Sequence, residues 1–180
     1  HAFFMAVCPR SAGFASIDPV TWSTSSMIMF AVLMWIGGGA QSTAGGVKVN
    51  TFAVMLLNLR SMLRGSDRVE VFHRELSHSS IRRANTTVLL SIAALGLSIF
   101  IMNMLEPEVP LRSVFFECLG ALSTDGVSLG ATSMLHDEGR LFMIPLMFIG
   151  RLGVLTIMMG LVKQKKVVNY RYPVGEIIIN

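Results

Sequence analysis

The sequence predicts an all-α membrane protein built from tandem helical units, on the evidence of composition, uncharged runs and an internal repeat. Hydrophobic residues make up 52% of the 180 residues and charged residues only 14%, whereas a soluble domain carries roughly 25% charged residues. No pair of His, Asp or Glu residues falls at membrane depth in the apolar runs, so an enzyme is not expected.

Three membrane crossings are expected from the apolar runs. The first covers residues 24–59 and is interrupted by a Gly-rich loop. Residues 84–105 form an uncharged run of 22 residues, close to the roughly 20 that a spanning helix needs. Residues 141–162 form the third run, which contains one charge, Arg151.

Charged residues orient these crossings. Six arginines lie within residues 60–83 and four basic residues follow residue 162, so both regions are expected in the cytoplasm. Residues 106–140 carry six acidic residues against two arginines and are expected outside. The basic residues flank membrane spans and lack interleaved aromatic residues, so no nucleic-acid partner is expected.

Two cysteines, Cys8 and Cys118, lie in apolar surroundings without the spacing of a metal site. They are expected to be buried free thiols, and no metal site is predicted.

An internal repeat relates two parts of the chain at a constant offset of 113 residues, without a gap. Each copy reads as a short apolar segment, a Ser/Thr-x-Gly turn, a polar connection and a membrane span. The aligned residues include Phe3 with Phe116, Ser11 with Thr124, Gly13 with Gly126, Gly37 with Gly150 and Thr43 with Thr156. Duplicated units of this kind are common in transporters.

The short apolar segments 2–9 and 113–122 are too short to span a bilayer, so each is expected to enter and return on one side, surrounded by protein. The carboxyl end of such a half-helix favours a cation, and the strand after it can offer backbone carbonyls in place of an ion's water. Glycine at the centre allows the required backbone angles. The predicted ion-binding backbone comprises Ser11, Ala12, Gly13, Phe14, Thr124, Asp125, Gly126 and Val127. Ordinary glycine turns that cap short helices are the alternative.

The loop in "WIGGGAQSTAGGVK" does not fit the phosphate-binding pattern, because Val47 and Val49 flank Lys48. It fits a break in a membrane helix, where irregular backbone persists if it lines a cavity or is buried in protein.

Four stretches, "SAGF", "WIGGGAQSTAGGVK", "LRSMLRG" and "MFIGRLGVLT", resemble the Trk/Ktr/HKT family of potassium-uptake proteins. The resemblance implies K⁺-channel-like span–pore-loop–span repeats, four of which surround one pore. This chain would be the C-terminal half of the pore subunit. Residues 1–63 would form the third unit without its first span, 64–83 a cytoplasmic linker, 84–162 the fourth unit and 163–180 a cytoplasmic tail.

The resemblance also implies potassium uptake across the plasma membrane, with K⁺ as the transported ion and no covalently bound cofactor. The Gly-rich loop would be an intramembrane gate that includes Gly37, Gly38, Gly39, Gln41, Ser42, Thr43, Gly45, Gly46 and Lys48. Arg151 falls on Gly38 under the repeat, and we expect it to hydrogen-bond loop carbonyls and to form an electrostatic barrier. A snorkelling or structural arginine is the alternative.

The implied partners are membrane lipid, the N-terminal half of the same polypeptide, a cytosolic nucleotide-binding regulatory subunit and a second copy in a homodimer. Ser11 replaces a common Thr and Asp125 replaces a common apolar residue, which leaves K⁺ against Na⁺ preference open. Sodium transport or Na⁺/H⁺-coupled cation transport, and a non-conducting structural fragment, therefore remain as alternatives.

Overall fold

The computed structural model describes residues 2–10, 12–39, 42, 44–65, 68–71 and 74–161. Ser11, Gln41, Thr43 and the predicted tail 163–180 lie outside these residues. The helices are α1 (Ala2–Val7), α2 (Thr24–Trp35), α3 (Val49–Leu63), α4 (His78–Leu105), α5 (Leu111–Ser123), α6 (Asp137–Leu152) and α7 (Val154–Leu161). Two antiparallel strands, β1 (Glu70–Val71) and β2 (Arg74–Glu75), form a small hairpin in the predicted linker.

The elements follow the 113-residue offset of the sequence. In the first unit α1 is followed by a glycine turn, a 3-10 turn at Pro19–Thr21 and α2. In the second unit α5 is followed by a glycine turn, a 3-10 turn at Ala131–Ser133 and α6. Local signals fix several helix starts: the hydroxyl of Ser23 accepts a hydrogen bond from the Ser26 N–H at 3.3 Å, as expected of an N-cap residue.

The predicted spans are only partly continuous. Among the described residues, α4 is the one helix that is long and apolar enough to cross a membrane alone. The run 141–162 was expected to be a single crossing, but α6 and α7 meet at a 94° bend. Gly153 lies at the bend with a φ of +83°, a conformation that favours glycine. Helices α2 and α3 are shorter, with 12 and 15 residues, because the Gly-rich loop separates them.

Helix α5 occupies the centre of the described structure. Its residues 116–123 are all buried, and α2, α4 and α6 pack around it. One apolar cluster joins α5 to α4 and α6 through Met102, Cys118 and Leu146, and a second joins α5 to α2 through Phe30, Met34 and Phe116. Cys8 and Cys118 are buried free thiols, which confirms that prediction.

Candidate functional site

Helices α1 and α5 are each followed by a glycine turn, which we define as residues 12–14 in the first unit and 124–127 in the second. Helix α5 ends at Ser123, and Thr124 takes a left-handed conformation with a φ of 54°. The N–H of Asp125 returns to the Gly120 carbonyl at 3.0 Å, so the turn is fixed to the end of its helix. Gly126 and Gly13 have φ values of +89° and +70°. Both positions therefore use the conformational freedom of glycine.

The two glycine turns lie side by side, although 113 residues separate their glycines. A Cβ built on Gly13 would lie 2.5 Å from the Asp125 carbonyl oxygen. A Cβ built on Gly126 would lie 4.0 Å from the Gly13 Cα. The first distance leaves no room for a side chain at Gly13, so the two backbones approach more closely there than other residues would permit.

The residues of the second turn differ in their exposure. Asp125 and Val127 are 5% and 4% exposed, whereas Gly126 is exposed. In the first turn Ala12 and Phe14 are exposed and Gly13 is half-buried. Two adjacent backbone segments with left-handed glycines and partly open faces can offer carbonyl dipoles to a cation.

The Gly-rich loop, residues 37–48, closes on its own base. The Val47 N–H donates to the Trp35 carbonyl at 3.1 Å, and the Gly37 N–H donates to the Val47 carbonyl at 2.8 Å. The Val49 N–H donates to the Gly38 carbonyl at 3.1 Å as α3 begins. Helix α2 thus ends where backbone hydrogen bonds join the two ends of the loop, and α3 begins directly after it, as the predicted helix break requires.

The Gly-rich loop also contacts the second glycine turn. The Gly45 N–H donates to the Thr124 hydroxyl at 3.0 Å, and a Cβ on Gly45 would lie 2.8 Å from the Ser123 carbonyl oxygen. Gly45 therefore permits a close approach between the loop and the carboxyl end of α5. This contact joins two segments that the sequence suggested separately.

Other residues predicted for the gate lie at exposed or half-buried positions. Gly39 and Ser42 are exposed, and the Ser42 hydroxyl accepts the Ala44 N–H at 3.1 Å. Lys48 is half-buried at the N-cap of α3, and Arg151 is exposed in the last turn of α6. The hydrogen bonds expected between Arg151 and loop carbonyls stay a prediction.

Two carboxylates that the sequence analysis counted only among the acidic residues of the segment 106–140 are buried. Glu117 in α5 is 6% exposed and Glu106 after α4 is 1% exposed. Glu106 accepts hydrogen bonds at 2.7 Å from both the backbone N–H and the Nδ1 of His136. The side-chain hydrogen bond lowers the pKa of Glu106 and raises the pKa of His136. A carboxylate inside an otherwise apolar segment was the available signal for Glu117.

Within the described residues, no group of three or more His, Cys, Asp or Glu side chains could hold a metal ion.

Comparison with known proteins gives consistent matches. The family model described as "TrkH: Cation transport protein" matches residues 1–170. The potassium/sodium uptake protein NtpJ of Enterococcus hirae is 35% identical, over 99% of this chain and 41% of its own length. The Ktr system potassium uptake protein B of Bacillus subtilis is 35% identical, over 98% of this chain and 39% of its own length. The chain therefore spans about two fifths of the length of these relatives.

A solved structure supports the helical fold. The crystal structure of the potassium transporter TrkH from Vibrio parahaemolyticus matches 89% of this chain and 36% of its own chain, with a TM-score of 0.77 at 20% identity. That likeness concerns the fold alone. The family resemblance stated from the four motifs is confirmed by the family model, which covers nearly the whole sequence, and the chain belongs to the TrkH family of cation transport proteins.

Proposed function

We propose that this chain forms part of a pathway for potassium uptake across the plasma membrane, in a multi-pass protein that contains it. The family is described by cation transport rather than by catalysis. Two relatives carry potassium uptake in their names. In this proposal the ion-binding groups are the backbone carbonyls of the two glycine turns, residues 12–14 and 124–127, together with that of Ser11.

The adjacency of Gly13 and Gly126 is the observation that carries the proposal. A filter must gather carbonyl oxygens from separate chain segments around one ion, and here two equivalent segments meet at left-handed glycines. Two of four such segments would come from this chain, and the others from the N-terminal half of the polypeptide.

The test is potassium-dependent growth of bacteria that lack their own potassium uptake and express the full-length protein. Gly126→Ser places a side chain on a left-handed residue, a strain of about 1–2 kcal/mol. The turn must shift to relieve this strain, which changes the spacing of its carbonyls, so we expect the K⁺/Na⁺ flux ratio to fall. Gly65→Ser is the matched control, because Gly65 has a φ of +68° away from both turns and nothing lies within 4 Å of a Cβ there. Both variants should insert into the membrane.

If Gly126→Ser and Gly65→Ser behave alike in growth and in flux ratio, the filter proposal fails. A non-conducting structural fragment would then be the better interpretation.

Sodium transport, alone or coupled, is the second candidate function. The relative NtpJ is named a potassium/sodium uptake protein, and the buried Asp125 carboxylate lies within the second glycine turn. Sodium influx measured beside potassium influx in the same cells separates the two. Sodium influx that equals or exceeds potassium influx would favour this alternative.

We also propose that the Gly-rich loop gates the pathway together with Arg151. The hydrogen bond between Gly45 and Thr124 supports this, because it links the loop to the turn that would bind the ion. Gly45→Ala should disturb that contact, whereas Gly39→Ala should not, since nothing lies within 4 Å of a Cβ on Gly39. Arg151→Ala should raise flux or remove its regulation. Unchanged gating in a well-folded Arg151→Ala protein would contradict the barrier.

The proposed assembly contains parts beyond this chain. Its partners would be membrane lipid, the N-terminal half of the polypeptide, a cytosolic nucleotide-binding regulatory subunit and a second copy in a homodimer. The arginines of residues 60–83 would face the cytoplasm, where they can meet anionic headgroups or the regulatory subunit. Crosslinking of the full-length protein in membranes would test the homodimer.

A further inference from the structure

Glu117 is a buried carboxylate in the middle of α5, directly behind the second glycine turn. It is 6% exposed and lies between the buried residues Phe116 and Cys118. A buried carboxylate is unfavourable unless it accepts hydrogen bonds. The Ser128 hydroxyl donates to its Oε1, and the Thr132 hydroxyl lies 3.0 Å from both carboxylate oxygens.

These hydroxyls hold the chain just beyond the glycine turn. Ser128 also accepts the Gly130 N–H at 2.9 Å, so the carboxylate, the hydroxyl and the following bend form one network. The beginning of the turn is fixed by backbone hydrogen bonds from Thr124 and Asp125 to α5 carbonyls at 3.2 and 3.0 Å. Glu117 therefore ties the end of the turn to the same helix that holds its beginning.

The network belongs to the second unit alone. Under the 113-residue offset, Glu117, Ser128 and Thr132 correspond to Phe4, Ala15 and Pro19. None of these three has a carboxylate or hydroxyl side chain. These three positions of the first unit therefore cannot form the same tether, and a search for repeated motifs could not have indicated Glu117.

A cavity lies beside the second glycine turn and the Glu117 network. It has a volume of about 330 Å³ and is lined by Glu117, Gly126, Ser128, Met143 and other residues. The second glycine turn borders this cavity, so the turn has room to shift if the hydrogen bonds from the hydroxyls are lost. Carbonyls that shift by a fraction of an ångström change their spacing around an ion, and this spacing is one proposed origin of ion selectivity.

We infer that Glu117 is a positioning residue that fixes the carbonyls of the second glycine turn and thereby sets the preference for K⁺ over Na⁺. This inference rests on the proposed function. Glu117 acts through Ser128 and Thr132 and does not touch the ion. Its removal should change selectivity more than it changes the amount of folded protein.

Thr132→Val and Thr132→Ser in the full-length protein, reconstituted in proteoliposomes, give the sharpest test. Thr132 is exposed, so neither change threatens the core. Valine keeps the branched shape but lacks the donor to Glu117, and we expect about a tenfold fall in the K⁺/Na⁺ influx ratio, the order expected for one lost hydrogen bond to a charged group. Serine keeps the hydroxyl and should keep the ratio. Glu117→Gln, which retains one carbonyl acceptor, should give an intermediate ratio.

The outcomes separate this inference from the function on which it rests. An unchanged ratio in Thr132→Val, while Gly126→Ser lowers it, would overturn the role of Glu117 and leave the filter proposal standing. A fall of both influxes at an unchanged ratio would indicate a merely structural contact and would also overturn it. If Gly126→Ser has no effect either, the proposed function itself fails.

Discussion

Helices α1 and α5 occupy equivalent positions in the two units, but the rest of this chain covers them to different extents. In α1, Phe3 is 84% exposed and Val7 is 53% exposed, whereas residues 116–123 of α5 are all buried. The two units nevertheless agree at the carboxyl end, because Cys8 and Pro9 are buried like the end of α5. In both units, therefore, the packing within this chain is closest at the carboxyl end of the helix, where the glycine turn follows.

The units differ more where their second helices break. In the first unit the compact Gly-rich loop separates α2 from α3 and reaches across to Thr124. In the second unit one residue, Gly153, turns α6 into α7 by 94°. A duplicated framework thus supplies the paired turns, while different residues at equivalent positions of the first copy supply the contact between loop and turn.

The largest effect is expected at Gly150. This residue is equivalent to Gly37 under the 113-residue offset, but the two glycines contact different segments. A Cβ on Gly150 would collide with the backbone of Leu122, and a Cβ on the equivalent Gly37 would collide with the Gly45 carbonyl. Neither obstacle is a flexible side chain. We expect Gly150→Ala to lower the free energy of unfolding by about 1–3 kcal/mol or more, measured as thermal stability of the full-length protein in detergent.

Gly96→Ala is the matched control for that change. Gly96 also lies within a helix, and nothing lies within 4 Å of a Cβ there, so stability should be unchanged or slightly raised. Equal losses in the two variants would contradict the proposed packing of α6 on the end of α5.

The next largest effect is the difference in stability between equivalent substitutions in the two glycine turns. Gly13→Ala and Gly126→Ala both place a side chain on a left-handed residue, but only at Gly13 does the new Cβ meet a carbonyl oxygen, that of Asp125, at 2.5 Å. We expect Gly13→Ala to lose more thermal stability and more potassium uptake, by about 1–3 kcal/mol in the stability difference. A larger loss at Gly126 would show that the two turns are not packed as described.

Local signals in the sequence predicted the broken helix and the turns, but two features of the helices were not predicted. Glycine runs and short apolar segments indicated the broken helix and the two glycine turns. The bend at Gly153 was missed, because one glycine in an apolar run is compatible with a continuous helix. Helix α4 begins at His78 rather than near residue 84, since hydropathy marks only the uncharged part of a helix, although the N-cap Ser77 was a local signal.

The buried carboxylates were missed for a different reason. Glu117 meets Thr132, which is 15 residues away, and Glu106 meets His136, which is 30 residues away. The spacing of residues along the sequence does not predict contacts between side chains that are 15 or 30 residues apart. In the sequence alone, each residue reads as one more acidic charge in the segment 106–140.

A smaller effect is expected at the contact between the Gly-rich loop and the second turn. Thr124→Val keeps the branched side chain on this left-handed residue but removes the acceptor for the Gly45 N–H. The lost hydrogen bond should destabilise the loop contact by about 1 kcal/mol and raise flux under closed conditions. Thr124→Ser keeps the hydroxyl and should behave like the parent. Identical flux in the valine and serine variants would contradict a role in gating for the hydrogen bond between Gly45 and Thr124.

The smallest effect concerns the connections before α2 and α6, where the two units again differ. In the first unit the exposed Asp18 accepts the Val20 N–H at 3.0 Å, whereas the second unit uses the buried Glu106 with His136. The hydrogen bond to Glu106 raises the pKa of His136 above its ordinary 6.5, so its contribution to stability is fully present below pH 6.5 and is lost as pH rises through the raised value. The pKa of Glu106 is lowered from 4.5, so its contribution is present above pH 4.5 and is lost as pH falls through the lowered value.

Thermal stability of the full-length protein should therefore fall as pH rises above about 6.5, and His136→Gln should remove part of that fall. His78→Gln, a change in an exposed histidine at the start of α4, is the control and should keep the parent's pH profile. The effect is small because the His136 backbone N–H still donates to Glu106 at 2.7 Å in either charge state of the ring. The same pH slope in His136→Gln and in the parent would mean that this backbone hydrogen bond alone anchors the connection. In that case both units would hold their second helices by the same device, a carboxylate that accepts a backbone N–H.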